Sequence, residues 1–553
     1  MKKNWKLKEL SIPLPEMPEY PSLIVRLLAL RGLTTPEVIR DYLNPDYAKL
    51  HDPFLFKDMQ KAVQRIRTAV DKQEKIAIYA DYDTDAITAC SVVYLGLKKL
   101  GITSLYYIPD RFTEGYGMNT EAVRKLHEQG VKLIITVDCG INAVAEAELC
   151  RELGIDLIIT DHHELTGELP DAFAVINPKN PADEYPFQYL TGVGVAFKLI
   201  QALNLNGYEK WLLDLVAIGT VADCQDLVGE NRILVSFGLK VLAKTRWPGV
   251  KAMLINAGIT NRFDSFTLGF ILAPRINAAG RIKHAEIAFK LLVTENKDEA
   301  EYLATELNDL NRHRQMLTDQ ILSEARGQVQ LIVEKKILLV SGSDWPKGVV
   351  GLVAGKLSEE FNRPVLVASA GSDGFATGSA RSVANFNIVD AMGFAKQHLH
   401  KYGGHSQAGG FTLKHSELDN FYQKLLEYAE VQSLNIESPV LDLDAELAPA
   451  DLTWENLGYI EKFAPFGFGN PKPKLLGQGF KILDIRTVGE GKHLKLKLGF
   501  GMHDVEAIGF GQGALSMSLR IGQNISCAFE LTTNEWNGNK TMQLKIIGIK
   551  TND

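Results

Sequence analysis

Short apolar runs alternate with helix-length amphipathic stretches over the first third of the chain. Ile76–Ala80, Ser104–Ile108, Leu133–Val137 and Ile155–Thr160 are runs of β-formers. Ala86–Leu100, Thr120–Gln129 and Ala143–Leu153 between them read as helices, and Gly130 is placed to stop the second. Apolar strands separated by helices of roughly 10–15 residues predict an α/β fold with a parallel sheet covered on both faces. Leu212–Val221 is a further apolar segment, ending in Ala222-Asp223. From Lys297 to Val329, Leu303, Leu307, Leu310, Leu317 and Ile321 recur at helical spacing among charges, which predicts a long helix joining two domains. Lys336–His398 again alternates strand, helix and strand, as a second α/β domain would. Past about Glu437, Lys481–Ile485, Leu494–Leu498, Val505–Phe510, Ile525–Leu531 and Met542–Ile549 are short alternating strands, the pattern of a small β-barrel. The expected order is a short helical lead-in over 1–50, a parallel-sheet domain over 51–296, a connecting helix over 297–335, a second α/β domain over 336–436 and a barrel over 437–553.

Composition narrows the class. The 553 residues suffice for three or four domains of ~150 residues. A 46% hydrophobic and 23% charged content excludes wholesale disorder. The net charge of -7 excludes nucleic-acid binding by bulk positive charge, so such binding needs local basic patches. No apolar stretch is long enough for a membrane span, and none follows the lysines of Met1–Pro15 as in a signal peptide. Cys90, Cys139, Cys150, Cys224 and Cys527 are odd in number and never form CxxC. That argues against a disulfide framework or a thiolate zinc site and fits a reducing cytoplasm.

The candidate chemistry lies where strands end. Ala80 runs into Asp81-Tyr82-Asp83-Thr84-Asp85, Val137 into Asp138, and Thr160 into Asp161-His162-His163-Glu164. Parallel strands point the same way, so these residues converge on one sheet edge, where ligands bind. Asp223 is placed to bring a further ligand there. Singly, an Asp after a strand is commonly a helix N-cap, and paired histidines are commonly surface or core residues. Together, clustered carboxylates repel unless a cation compensates them. Oxygen and imidazole ligands without thiolate suit Mg²⁺ or Mn²⁺. There are enough for two ions sharing a carboxylate, roughly 3.5–4 Å apart, an arrangement that hydrolyses phosphate esters. Elsewhere, Gly378-Ser379-Ala380-Arg381-Ser382 suits a phosphate or is a turn with a surface Arg. Lys492-His493-Leu494-Lys495-Leu496-Lys497 gives one barrel strand a basic face. Phe468, Phe500 and Trp536 either stack on bases or fill the barrel core.

Asp81-Tyr-Asp-Thr-Asp85, Val137-Asp-Cys-Gly140, Asp161-His-His163 and Val221-Ala-Asp223, in that order, resemble the four motifs of the DHH phosphoesterase superfamily. The segments 111–119, 192–198, 274–281 and 403–409 are similar to those of the RecJ family, bacterial 5′→3′ exonucleases specific for single-stranded DNA. Phe466-Gly-Phe-Gly-Asn-Pro471 looks like the start of that family's oligonucleotide-binding fold. The resemblance runs from about Leu50 to the end. One departure is Ala86, where the first motif usually has Gly.

The resemblance implies a DHH catalytic domain, a DHHA1 domain and an OB-fold barrel. It implies that Asp83, Asp85, Asp138, His162 and Asp223 hold two Mn²⁺ or Mg²⁺ ions with Asp138 as the bridge, and that Asp81 is a further metal ligand or supports the ligands from behind. His163 would touch the scissile phosphate or help hold a metal, and Asp161 would orient the histidines. Arg111, Ser379 and Arg381 would form a terminal 5′-phosphate pocket. His405 would donate to a phosphate or sit near the cleft, or else be a buried structural residue. Arg275, Asn277 and Arg281 would contact the nucleic-acid backbone or bond between domains. The implied activity is hydrolysis of single-stranded DNA to 5′-mononucleotides in DNA repair and recombination, by a cytoplasmic monomer supplied by single-strand-binding protein or a helicase. Two alternatives are a phosphoesterase of short oligoribonucleotides, cyclic dinucleotides or pyrophosphate, and a non-catalytic DNA-binding relative. The former are smaller and lack the barrel; the latter would be expected to lose metal ligands.

Overall fold

The computed structural model describes residues 4–11, 13–261, 263–435, 439–536 and 538–551. Its first sheet is parallel throughout, in the spatial order Leu105–Tyr107, Lys75–Ala80, Val131–Val137, Asp156–Thr160, Ala174–Ile176. Every residue of Lys75–Ala80 after Lys75 is buried, as strands covered on both faces require. Alternate residues feed two cores. Ile76, Ile78, Leu133 and Ile135 pack with the helices Thr84–Lys99 and Gly192–Ala202. Ala77, Tyr79, Ile134 and Leu157 pack with Thr120–Glu128 and Val144–Glu152 on the other face. The strand order reverses between Lys75–Ala80 and Val131–Val137. Such a reversal opens a crevice at the carboxyl ends of the strands.

The apolar segment ending at Ala222 is a helix, Leu213–Ala222, with Leu213 to Thr220 all buried. A helix apolar on every side belongs inside a core. It carries Asp223 to the sheet edge from its C-terminal end. The long helix runs Lys297–Leu331, capped by Asn296, whose Oδ1 accepts from Asp298 N and Glu299 N. Leu303, Leu307 and Leu310 belong to the first domain's core. Ile321, Leu322 and Val329 belong to the core of the second domain. That domain has a mixed sheet, in the order Lys401–His405, Ala408–Lys414, Phe375–Arg381, Val365–Ala370, Leu338–Ser343.

The C-terminal strands Leu475–Val488, His493–Phe500, His503–Gly509, Asn539–Thr551 and Asn524–Trp536 close into a barrel when the first pairs with the last. The lead-in is the main departure from the sequence pattern. Asn4–Leu7 pairs in parallel with Val440–Leu443. The helices Ser22–Ala29 and Pro36–Leu43 place Leu23, Ile24, Leu27, Leu28 and Ile39 in the barrel's own core cluster. The first residues therefore cover the barrel. A pairing across more than four hundred residues leaves no local periodicity to read.

Arg232 fastens barrel, lead-in and first domain together. It is buried, and its guanidinium donates to Tyr42 O at 3.0 and 2.8 Å, Phe463 O at 2.7 Å and Lys462 O at 3.0 Å. Burial pushes its pKa down to about 10, so it stays charged at neutral pH. Arg232→Ala takes the guanidinium from Tyr42 O and Lys462 O, leaves Phe463 O to Asn470 Nδ2 at 2.7 Å, and should lower stability by about 2 kcal/mol or more. The check is the urea midpoint; an unchanged midpoint would mean water replaces the guanidinium without cost.

Candidate active site

Asp81 ends strand Lys75–Ala80, and Asp83 caps the helix that follows, its Oδ1 accepting from Ala86 N at 3.0 Å. Ala86 is the third residue of that helix and is buried, a position alanine suits better than glycine. Asp85 accepts from Gly192 N at 2.7 Å and Val193 N at 3.0 Å, at the positive end of helix Gly192–Ala202. Asp138 leaves strand Val131–Val137 with φ +59°, a left-handed conformation that Asp tolerates better than most residues. A Cβ on Gly192 would lie 2.5 Å from the Asp138 carboxylate, so only glycine lets that side chain in. Asp161 spends its oxygens on the protein. It accepts from Ile141 N at 2.9 Å, His162 N at 2.7 Å, His163 N at 3.1 Å and His163 Nδ1 at 2.7 Å.

The side chains converge. His162 Nε2 lies 3.1 Å from Asp138 Oδ1, 3.8 Å from Asp223 Oδ2 and 3.9 Å from Asp85 Oδ2. His163 Nδ1 lies 3.9 Å from Asp138 Oδ1. Two ligand sets result, Asp138 with His162 and His163, and Asp85 with His162 and Asp223, each with its donor atoms within 4.8 Å of one another. They overlap at His162. The Oδ1 atoms of Asp81 and Asp138, Asp223 Oδ2 and His162 Nε2 are buried without hydrogen-bond partners. Polar atoms in that state are costly unless something else satisfies them.

The electrostatics point the same way. Burial, then the Asp83 charge, raises Asp81 to about 8. Burial and Asp83 raise Asp223 to about 7. Asp85 and Asp138 are raised by burial and by neighbouring carboxylates. Asp223 also sits at a helix C-terminus, the unfavourable end for an anion. Burial lowers His162 to about 3, leaving a neutral ligand. In Asp161 burial acts upward, but the hydrogen bond and charge of His163 lower it overall. Hard oxygen donors, a neutral imidazole and unspent negative charge fit Mg²⁺ or Mn²⁺.

Known proteins share the whole layout. Residues 75–220 match the family model of the DHH N-terminal domain, 330–431 the DHHA1 domain and 443–548 the RecJ OB domain. A Bacillus subtilis protein named single-stranded-DNA-specific exonuclease RecJ is 42% identical over 95% of this chain and 67% of its own length. The Escherichia coli protein of the same name is 32% identical over 96% of both chains. The chain belongs to the RecJ family. A crystal structure of RecJ from Thermus thermophilus in complex with Mn²⁺ matches with TM-score 0.83 at 29% identity, over 97% of this chain and 76% of that one. One of the same protein with Mg²⁺ matches with TM-score 0.77 at 28% identity, over 97% and 75%.

In this RecJ-family chain Arg111 and Arg381 come together with Arg281 and Arg314. Burial and then Arg111, Arg314 and Arg381 push Arg281 down to about 10, and burial with Arg111 lowers Arg381. Among the described residues their hydrogen-bond and ring partners are neutral: Arg281 donates to Gly348 O, Arg314 to Asn311 Oδ1, Arg381 to Ala380 O, and Arg111 lies over the Tyr82 ring; the charges of Asp83 and Asp319 act on Arg281 and Arg314 from further off. Gly351 backs the group, since a Cβ there would be 3.3 Å from Ser379 Oγ and 3.4 Å from Arg381 Nη2. Arg314 escapes sequence reading because it is one of several charges on the long helix. Tyr116 lies within the segment 111–119 without a chemical signal of its own in the sequence; its hydroxyl is 3.2 Å from His163 Nε2.

Other expected residues stand apart. His405 is exposed on the edge strand of the second sheet, in the same row as Ala408 and Arg381 but two strands from the latter. It is therefore not a buried structural histidine. Arg275 donates to Ile271 O of its own helical segment, and the Oδ1 of Asn277 accepts from Thr84 N. Phe500 stacks on Phe480 inside the barrel, 2% exposed, so it cannot meet a base. Phe468 is 62% exposed. The side chain of Trp536 lies outside the described residues. The basic barrel face is largely neutralised, with Lys495 2.9 Å from Glu506 and Lys497 2.9 Å from Asp504, acids on the adjacent strand.

Two outcomes follow. Acids with raised folded pKa contribute stability that is complete below their unfolded pKa and lost as pH rises through the folded value. His163, also raised, acts in the same sense, while His162 is neutral in both states above about pH 6.5. With chelator present, the melting temperature should fall from pH 6.5 to 8.5, and Mn²⁺ should restore most at the upper end; a flat profile would mean the acids are not buried together. Gly192→Ala should leave far-ultraviolet circular dichroism unchanged yet cut turnover by about 100-fold or more, through displacement of Asp138. Near-normal turnover would show that Asp138 tolerates the shift.

Proposed function

We propose that this chain removes 5′-mononucleotides stepwise from the 5′ end of single-stranded DNA. The observation that carries the reading is the pairing of two overlapping metal-ligand sets with four clustered arginines, of which Arg111 and Arg281 stand beside the acidic segment itself and Arg314 and Arg381 come from the long helix and the second domain. Arg111, Arg281, Arg314 and Arg381, with Ser379, bind a terminal phosphate, because a cluster of guanidinium groups that repel one another attracts a dianion. Recognition of that end sets the polarity. Asp81, Asp83, Asp85, Asp138, His162 and Asp223 hold the divalent ions, which supply an acidified water near neutral pH and offset charge on the phosphate. Asp161 fixes His163 through Nδ1 and favours its protonated form, which burial alone would oppose. His163 is thereby a donor to a phosphate oxygen rather than a metal ligand, its Nε2 now 3.2 Å from the Tyr116 hydroxyl, whose place the phosphate oxygen takes. The bond broken is the one between phosphorus and the 3′-oxygen of the first nucleotide, so the new end again carries a 5′-phosphate. The OB domain and the exposed Phe468 receive the trailing strand.

Such resection serves DNA repair and recombination, and supply of the strand by a single-strand-binding protein or a helicase, to a monomer in the cytoplasm, is part of the same reading. No helix among the described residues is long and apolar enough to cross a membrane.

The test is parallel incubation with Mn²⁺ and 5′-phosphorylated single-stranded DNA, duplex DNA, short RNA or pyrophosphate. Only the single strand should be consumed quickly, and Asp138→Ala should abolish its loss. Preferential consumption of RNA or pyrophosphate would overturn the reading. Arg381→Ala should raise KM for 5′-phosphorylated ends by about 10–100-fold, while KM for 5′-hydroxyl ends stays nearly level. An equal effect on both would place Arg381 elsewhere along the strand.

A further inference from the structure

We propose that Asn277 is a positioning residue for the metal-binding loop rather than a contact to nucleic acid. It lies on helix Ala273–Ile282, which packs across the segment Asp81–Asp85. The Oδ1 of Asn277 accepts from Thr84 N at 3.0 Å. Thr84 opens the helix Thr84–Lys99, so its N–H has no partner within that helix. One turn earlier, Ala273 O accepts from Thr84 Oγ1 at 3.2 Å. One turn later, Gly280 meets the loop so closely that a Cβ would lie 2.9 Å from Tyr82 O. Positions 273, 277 and 280 share one face of the helix.

These three contacts grip Tyr82 and Thr84, the two residues that alternate with Asp81, Asp83 and Asp85. The loop carries three acids whose mutual repulsion would drive it open, and the carboxylates of two of them are tied down, Asp83 to Ala86 N and Asp85 to the helix at Gly192 and Val193. The helix that grips it is itself tied to the second domain, where Arg281 donates to Gly348 O. Removing the Asn277 acceptor frees the backbone between two carboxylates without touching either of them. Groups that orient metal ligands in this indirect way typically cost 10–100-fold in affinity when lost.

The inference rests on Asp83 and Asp85 being metal ligands, and the experiment separates the two. Mn²⁺ binding to the DNA-free protein is measured by calorimetry for wild type, Asp85→Ala, Asn277→Ala and Asn277→Asp. KM for single-stranded DNA is then measured at saturating Mn²⁺. Loss of binding in Asp85→Ala supports the ligand reading; unchanged binding there refutes that reading and, with it, the inference. Asn277→Ala should bind Mn²⁺ about 10–100-fold more weakly, with KM for DNA within about twofold of wild type. Asn277→Asp keeps an acceptor for Thr84 N–H and should bind Mn²⁺ no more weakly than wild type. A nucleic-acid contact predicts the opposite pattern: unchanged Mn²⁺ affinity in Asn277→Ala, and a raised KM in both variants. That result overturns the proposal. If Asn277→Ala does not fold, Asn277→Asp decides alone: near-normal values on both measures support positioning, and a large rise in KM refutes it.

Discussion

Four carboxylates pressed together out of water, at the carboxyl end of one sheet, set the terms for the rest of this molecule. Asp81, Asp85, Asp138 and Asp223 each cost free energy as anions where they stand. The fold nevertheless spends special features on holding them there: a left-handed backbone at Asp138, a glycine where any side chain would collide, and a helix N-terminus aimed at Asp85. Strain of this sort persists only where surrounding structure over-determines it, and it collects at functional sites. A divalent cation relieves it, and the ion's affinity is in effect stored in the fold beforehand.

Much of this is readable from the residues because both periodicity and chemistry are local. Each of the first-sheet strands at 75–80, 131–137 and 156–160 is a continuous apolar run, and each ends in the acid that the crevice uses. The long helix announces itself through leucines at helical spacing, and it does divide them between two cores. An N-cap and a ligand candidate are compatible readings of one residue: Asp83 caps a helix and stands among the acids.

What the residues conceal is long-range. The lead-in covers the barrel through a parallel pairing that no neighbouring residue foretells. Arg314 joins Arg111, Arg281 and Arg381 only because tertiary packing lays one helix against another. The alternating lysines of strand His493–Phe500 read as a nucleic-acid face, yet the next strand carries the acids that pair with them. Charge seen on one strand is no guide to net field until its neighbour is known. Phe500 illustrates the matching ambiguity for aromatics, since an alternating strand shows which residues share a face but not which face is inside.

The helix Lys297–Leu331 has one more consequence. At 35 residues it spans about 50 Å. Its first half is embedded in one core and its second half in the other, and Arg314 lies between the two anchorages. A continuous rod fixed at both ends holds the second domain, and Arg381 with it, at a set distance from the acids of the first. Under the proposed reading the increment removed at each cycle is thereby a dimension of the scaffold, graduated like a gauge, whatever base is passing through.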